Sequence, residues 1–157
     1  GELRASITRA IARGVRLDIG HGSASFSFAV AKQAIALGIL PQTISSDIYC
    51  RNRINGPVFS LAKVMSKFLA IGMSLPQVIA CVTDHAADGL RLRRKGRLAV
   101  GYDADLTIFD LRRQPALFRD AENDTLQADL LLTPLAAIRA GKGYMTEQGS
   151  AEHVFDL

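Results

Sequence analysis

The stretch Val15-Arg16-Leu17-Asp18-Ile19-Gly20-His21-Gly22 alternates apolar and polar residues and then ends in a histidine between two glycines. The alternation predicts a β-strand over Val15–Ile19, and the glycines predict a turn directly after it. A second short strand is predicted over Gln42–Ser46, with Asp47 at its end. Helical patterns separate and follow these strands, which favours a parallel sheet with crossover helices.

Apolar residues at helical spacing surround the two strands. They repeat every three or four residues over Ser6–Arg13, Phe26–Leu37, Val58–Leu69 and Leu75–Val82. The polar segment Ile48–Gly56 is predicted to be a loop. After Arg91 the glycines multiply, and short strands are predicted at Leu98–Val100, Asp105–Phe109 and Ala136–Arg139. We therefore assign residues 1–92 to an α/β unit and residues 93–157 to a β-rich unit.

The composition is that of a soluble globular protein. The chain has 157 residues, of which 48% are hydrophobic and 22% charged, so it is long enough to form a core without disulfides. Its net charge of +4 is mild and requires neither a nucleic acid nor a membrane partner. Cys50 and Cys81 lie far apart in the sequence, which predicts two free, buried thiols in a reducing compartment. Without an apolar segment of about 18 residues, no membrane span is expected, and we expect a cytoplasmic location.

Two polar side chains hold equivalent positions after the predicted strands. His21 and Asp47 each follow a strand, and in a parallel α/β sheet or barrel such positions lie on the rim where sites are built. Because side chains alternate along a strand, Thr43, Ser45 and Asp47 share one face and Ile44 points the other way. A polar row that ends in a carboxylate suits a barrel interior that opens into a pocket. A turn histidine and a helix-capping or turn aspartate are the structural alternatives.

Four stretches together carry a family resemblance. They are Asp18–Gly22, Thr43–Asp47, the helical region Met65–Val82, and Gly96-Arg97-Leu98-Ala99-Val100-Gly101-Tyr102-Asp103-Ala104-Asp105-Leu106. In this combination the chain resembles the C-terminal part of a metal-dependent amidohydrolase, and its nearest likeness is to dihydroorotase-like and deacetylase-type members. The resemblance implies the last strand–helix units of a TIM (β/α)8 barrel over residues 1–92, followed by part of a small β-sandwich over residues 93–157.

The resemblance also implies the chemistry. Asp47 matches the family carboxylate that binds a metal and takes a proton from metal-bound hydroxide, and His21 and Gly22 are expected to contact the substrate. The implied cofactor is zinc, as one or two ions, and the implied substrate is a small-molecule amide or ester. The reaction would be hydrolysis of a cyclic amide, an N-acyl bond or a related acyl bond. A metal-bound water has its pKa lowered towards about 7, so hydroxide is present at neutral pH.

The metal-binding histidines of the family are missing from the sequence. His21, His85 and His153 are isolated, and no His-x-His pair occurs. His85 is expected at a helix end on the surface, and His153 is expected to be structural. A catalytic zinc needs about three protein ligands. We therefore expect the chain to be the C-terminal fragment of a longer enzyme, inactive alone, whose partner is the missing N-terminal part of the barrel or another copy.

Three other functions fit parts of the sequence. A truncated, non-catalytic relative would act as an assembly module through open strand edges. The stretch His21–Ser25 allows a serine hydrolase, although no Gly-x-Ser-x-Gly motif is present. The basic run Arg91–Arg97 allows a nucleic-acid contact, but no aromatic residues are interleaved for stacking. The favoured interpretation excludes nucleic acid and membrane as partners.

Overall fold

The computed structural model describes residues 4–146 and 154–156, the last three through their backbone alone. The elements in chain order are α1 (Ala5–Ala12), β1 (Asp18–Gly20), α2 (Phe28–Ala36), β2 (Thr43–Ser45), α3 (Cys50–Asn55), α4 (Leu61–Ala70), α5 (Leu75–Val82), α6 (Asp84–Gly89), β3 (Leu106–Arg119), β4 (Thr125–Arg139), β5 (Lys142–Met145) and β6 (Val154–Asp156). No helix in the described ranges is long and apolar enough to cross a lipid bilayer.

The two short strands pair as the sequence predicts. β1 and β2 run parallel, with Asp18 opposite Thr43 and Gly20 opposite Ser45. The crossover between them is α2. At its C-terminal end the Leu37 N–H donates to the Gln33 and Ala34 carbonyls. The predicted parallel arrangement of neighbouring strands is thereby confirmed, although β1 begins at Asp18 and is shorter than expected.

The long hairpin β3–β4 dominates the second half of the chain. β3, β4, β5 and β6 form an antiparallel sheet in that order. The β3–β4 ladder shifts register between Ile108 and Phe109, where Pro134 lies opposite, and again between Arg113 and Ala116, which flank Pro115. Proline cannot donate a ladder hydrogen bond, so its presence at both irregularities is physically expected.

Two predictions about secondary structure and one about burial are wrong. Residues 98–100 do not form a strand: Leu98 is 86% exposed, and the segment is a turn bounded by Gly96 and Gly101 at positive φ. A short apolar run without a sheet partner gains nothing from extension. The predicted loop over Ile48–Gly56 contains α3, a short helix that has no apolar stripe to reveal it. The predicted burial of both thiols holds for Cys81 alone, because Cys50 is exposed at the start of α3.

The core lies between the helices and the hairpin. Val64, Met65 and Phe68 of α4 are at most 1% exposed, and they belong to one apolar cluster with Ile44 of β2 and Leu132 of β4. Burial of each such side chain contributes about 1.5–3 kcal/mol. Helix α4 is therefore buried around most of its circumference and joins the parallel strands to the hairpin.

A buried serine ties α4 to β4. The Ser66 hydroxyl donates to the Ala62 carbonyl over 2.8 Å and accepts the Leu132 N–H over 2.9 Å. Ser66 is 0% exposed, so water cannot replace either bond. The hydroxyl thus satisfies a strand N–H that faces the helix and not a neighbouring strand.

Replacing Ser66 by alanine is expected to lower the free energy of unfolding by about 1–3 kcal/mol, because the Leu132 N–H is left buried without an acceptor. The matched control is Ser25→Ala, at an exposed serine for which the described region shows no hydrogen bond, with an expected change within about 0.5 kcal/mol. Urea unfolding followed by circular dichroism measures both. Equal midpoints for Ser66→Ala and the wild type would contradict the assigned role.

Candidate active site

The ends of β1 and β2 bring Gly22 and Asp47 together. Beyond the strands the ladder continues, since the His21 N–H donates to Ser45 O and the Gly22 N–H to Ser46 O, each over 3.2 Å. A Cβ atom on Gly22 would lie 2.6 Å from Asp47 Oδ2, which is too close for any side chain. The φ of +53° favours glycine here, and the lack of a Cβ leaves the exposed Asp47 carboxylate in this position.

Asp47 is held by its backbone and leaves its carboxylate exposed. Its φ of 48° is left-handed, which is unusual for a residue with a side chain. The fully buried Asn52 stabilises this turn: its Nδ2 donates to the Asp47 carbonyl, and its Oδ1 accepts from the Tyr49 N–H, both over 2.9 Å. In the described part of the chain no hydrogen bond occupies the carboxylate oxygens of Asp47. The group is free to bind a cation or accept a proton.

The predicted polar face of the sheet is present. Thr43 Oγ1 and Ser45 Oγ donate to the two carboxylate oxygens of Asp18 over 2.6 Å and 3.0 Å. Ile44 points to the opposite side and is 5% exposed. Asp18 was not predicted as part of this row. Its position opposite Thr43 in a parallel pair is the signal that could have revealed it.

His21 turns into the protein interior. Its ring is 0% exposed and lies 4.6 Å from the Phe26 ring, measured between centroids. Nδ1 is 2.9 Å from the Gly22 carbonyl and Nε2 is 2.7 Å from Lys67 Nζ. Both ring nitrogens are therefore occupied, and no ring atom reaches solvent in this conformation. A direct substrate contact by His21 stays a prediction, and in this structure the ring supports the Gly22 turn.

Lys67 was missed by sequence reasoning because it lies within an apolar helix. It is 2% exposed, and its Nζ also donates to Pro57 O over 3.0 Å and to Arg119 O over 2.6 Å. Burial lowers its pKa to about 8, although the nearby Asp120 carboxylate acts in the opposite direction. Helix α4 also carries the exposed Lys63, so the sequence alone does not distinguish the buried lysine from the exposed one.

The tip of the β3–β4 hairpin reaches the same region. Asp120 is 1% exposed; its Oδ2 accepts from the Phe28 N–H at the start of α2, and its Oδ1 accepts from the N–H groups of Glu122 and Asp124, each over 2.9 Å. The Ala121 N–H donates to Phe26 O over 2.9 Å. The carboxylate thus satisfies a free N–H at a helix terminus and closes the turn of the hairpin.

The described residues do not complete a zinc site. Asp47 offers one ligand at the rim, while the Asp18 oxygens accept two hydroxyl bonds and both His21 nitrogens are bonded. Asp120, Glu122 and Asp124 bring carboxylate oxygens within 4.8 Å of one another, but the Asp120 oxygens already accept three backbone N–H groups. A catalytic zinc would need about three protein ligands, and the described residues leave only the Asp47 carboxylate free at the rim.

A groove also lies away from this rim. It has a volume of about 600 Å³ and lies between α4, α5, α6 and the base of the hairpin, against Met65, Phe109 and Pro134. Neither Gly22 nor Asp47 lines it. Its lining is mainly apolar and includes neither histidine nor cysteine. The polar residues that the sequence motifs single out lie instead at the rim.

The other predicted groups have structural surroundings. His85 is exposed at the N-terminal end of α6, as predicted, and His153 lies outside the described residues. Ser23 shares a hydrogen bond of 2.9 Å with the Tyr49 hydroxyl, and His21 has no free nitrogen to serve as a base for it. A serine nucleophile is therefore not supported at this turn.

The basic run is largely neutralised by its own neighbours. Arg94 and Lys95 lie 2.9 Å and 3.0 Å from the carboxylate of Asp103, and Arg97 lies 2.8 Å from that of Asp88. Lys95 also pairs with Asp105. These ion pairs lie in the turn that leads into β3 and give three of the basic side chains anionic partners.

Comparison with known proteins identifies the family. The model of the amidohydrolase family matches residues 5–138. The chain belongs to the amidohydrolase family. A deacetylase from Enterococcus faecalis is 42% identical to this amidohydrolase chain over 132 residues, covering 84% of the chain and 36% of the relative. A deacetylase from Agrobacterium fabrum is 43% identical over 130 residues, covering 83% of the chain and 32% of the relative. The predicted family resemblance is confirmed.

Solved structures agree with the sequence relatives. A crystal structure of an adenine deaminase matches with a TM-score of 0.90 and 39% identity, covering 92% of the amidohydrolase chain and 39% of that structure. A crystal structure of a dihydroorotase matches with a TM-score of 0.81 and 40% identity, covering 89% of the chain and 38% of that structure. The chain therefore spans about a third of the length of the curated relatives and solved structures that it matches.

The buried His21 makes the stability depend on pH. Its pKa lies below the ordinary 6.5, because burial disfavours the charged ring and the Lys67 ammonium repels it, although the Gly22 carbonyl acts in the opposite direction. As the pH falls below 6.5, the unfolded chain binds a proton before the folded chain does. The free energy of unfolding is therefore expected to fall as the pH decreases from 6.5 towards the lowered pKa.

Urea unfolding between about pH 7.5 and about pH 5.5 measures this slope. His21→Gln should reduce the pH dependence, whereas His85→Gln, at an exposed histidine, should retain that of the wild type. An identical slope for His21→Gln and the wild type would show that the imidazole does not titrate differently on folding.

Proposed function

We propose that the chain forms the C-terminal part of a zinc-dependent amidohydrolase that hydrolyses a cyclic amide, an N-acyl bond or a related acyl bond. Residues 1–92 contribute strand–helix units of a (β/α)8 barrel, and residues 93–157 contribute part of a small β-sandwich. The observation that carries the proposal is the exposed Asp47 carboxylate beside Gly22, where two parallel strands end. Catalytic groups of such barrels lie at this end of the strands.

Asp47 is suited to proton transfer. Its carboxylate extends from a turn fixed by Asn52, so its position is well defined while its oxygens stay free. In the proposed reaction Asp47 accepts a proton from the attacking water and returns it to the leaving nitrogen or oxygen of the substrate. Gly22, which has no side chain, lets the substrate approach the carboxylate closely.

Zinc is supported by the family and by the type of residue at the rim. An anionic carboxylate is an ordinary zinc ligand, and a bound zinc ion supplies hydroxide at neutral pH. We propose that Asp47 is the one ligand that the described residues contribute and that the remaining ligands come from other segments of the enzyme or from another copy. The chain alone is then expected to bind zinc weakly and to be inactive.

The names of the relatives support a small polar substrate. They include deacetylases, an adenine deaminase and a dihydroorotase. We propose a small-molecule amide or ester as the substrate and the cytoplasm as the location, since the free Cys50 and Cys81 favour a reducing compartment.

A second candidate is a non-catalytic assembly module. β1 and β2 pair only with each other in the described part of the chain, although parallel strands are ordinarily buried in larger sheets. Their open edges would then serve to bind another polypeptide. Loss of hydrolysis on removal of metal separates the two candidates, because an assembly module has no turnover to lose.

Asp47→Asn keeps the size of the side chain but removes its charge and its basicity. In the gene product that contains this chain, kcat is expected to fall about 10²- to 10⁴-fold, because that is the usual contribution of a general base. The assay measures initial rates with N-acyl amino acids, cyclic amides and aryl acetates, together with zinc content by mass spectrometry.

The matched control is Asp129→Asn, at an exposed carboxylate on β4, which should keep the wild-type rate. A chelator should abolish turnover, and added zinc should restore it. Turnover that survives both Asp47→Asn and the chelator would overturn the proposed function.

A further inference from the structure

One buried ammonium connects three segments near the rim. Lys67 Nζ donates to His21 Nε2 over 2.7 Å, to Pro57 O over 3.0 Å and to Arg119 O over 2.6 Å. These acceptors belong to the turn after β1, the segment before α4 and the end of β3. An ammonium has three N–H groups, so each has an acceptor.

The bond to Lys67 determines which nitrogen of His21 carries the proton. Because an ammonium has no lone pair, it can only donate, and Nε2 must accept. The ring proton therefore lies on Nδ1, where it donates to the Gly22 carbonyl over 2.9 Å. A doubly protonated ring would direct an Nε2–H at the ammonium, and the hydrogen bond between Lys67 and His21 would be lost.

The backbone of the Gly22 turn lies next to the Asp47 carboxylate. The Gly22 N–H donates to Ser46 O over 3.2 Å, and the open side of its Cα faces the Asp47 carboxylate at the distance that excludes a Cβ. Contacts therefore run without a break from Lys67 through His21 and Gly22 to Asp47. Lys67 itself touches neither the carboxylate nor the open rim.

We propose that Lys67 is a positioning residue for the site at Asp47: its ammonium fixes the Nδ1-protonated tautomer of His21, and His21 thereby holds the Gly22 turn against which the carboxylate lies. This inference rests on the proposed function, in which Asp47 transfers the proton. It assigns to Lys67 an effect on the rate of reaction that a core-filling side chain would not have.

The position of Lys67 is one that an apolar side chain ordinarily occupies. Its nearest neighbours on α4, Val64, Ser66 and Phe68, are all 0% exposed. Moving an ammonium out of water carries a penalty that an apolar side chain of similar volume avoids. The carboxylate of Asp120 offsets part of this desolvation penalty. An apolar residue of similar volume would fill the same space without the penalty. The retained charge is explained by the acceptors that it orients.

The first measurement reads the tautomer directly. The gene product that contains this chain is labelled with ¹⁵N at histidine, and long-range ¹⁵N–¹H spectra at neutral pH distinguish Nδ1–H from Nε2–H; His21→Gln assigns the His21 signals. The wild type should show the Nδ1–H form of His21. In Lys67→Met that form should give way to a mixture of tautomers, whereas Lys63→Met should match the wild type, because Lys63 is exposed on the same helix.

The second measurement is a double-mutant cycle on turnover. Lys67→Met is expected to lower kcat about 10- to 100-fold with little change in KM, since small displacements of a reacting group have effects of this size. In a His21→Gln background, Lys67→Met should lower kcat less than about 3-fold, because the ring through which Lys67 acts is gone. Lys63→Met should leave kcat unchanged.

Defined results overturn the inference. An Nε2–H or doubly protonated His21 in the wild type overturns it without any variant, and so does full turnover in folded Lys67→Met. Equal effects of Lys67→Met with and without His21 would assign Lys67 a structural role only. If Lys67→Met does not fold, the tautomer of His21 in the wild type alone still supports or overturns the inference. A wild type without hydrolysis removes the proposed function, while the tautomer measurement still tests the contact between Lys67 and His21.

Discussion

The three hydrogen bonds of the Lys67 ammonium join α4 to the turn after β1, to the segment before α4 and to the end of β3. Apolar contacts tolerate small shifts, whereas a charged donor with three acceptors has one favourable geometry. The turn after β1 and the end of β3 therefore keep a fixed relation to α4. Since the Gly22 turn lies beside Asp47, the geometry of the rim depends on a buried residue, Lys67.

The hairpin β3–β4 acts as more than a surface extension of the α/β unit. Its tip places the Asp120 carboxylate at the first N–H of α2, and Ser66 binds the Leu132 N–H in its middle. Two polar anchors therefore position the hairpin across the buried face of α4. In this way the segment after residue 92 supports the site that the segment before it carries.

Sequence reasoning could predict the parts of the fold that have a local pattern. Alternation and glycine turns predicted β1 and β2, and the shared rim of Gly22 and Asp47 follows from their parallel pairing. The short helix α3 was missed because it is stabilised by Asn52 and its bonds to the preceding turn, which leave no periodic signature. The interior position of His21 was also missed, since it depends on Lys67, a residue 46 positions away. Partners at that distance in sequence have no local signal, and α4 carries the exposed Lys63 as well as the buried Lys67.

The irregular hairpin also bears on association between copies of the protein. β3 is an outer strand of its sheet and is 14 residues long, a length at which an even edge would invite strands of other molecules to add on. Pro115 interrupts the row of donors, and the exposed Arg113 places a positive charge beside it. An incoming copy would meet a break in the ladder and mutual repulsion. The outer strand is thereby protected against fibril-like stacking.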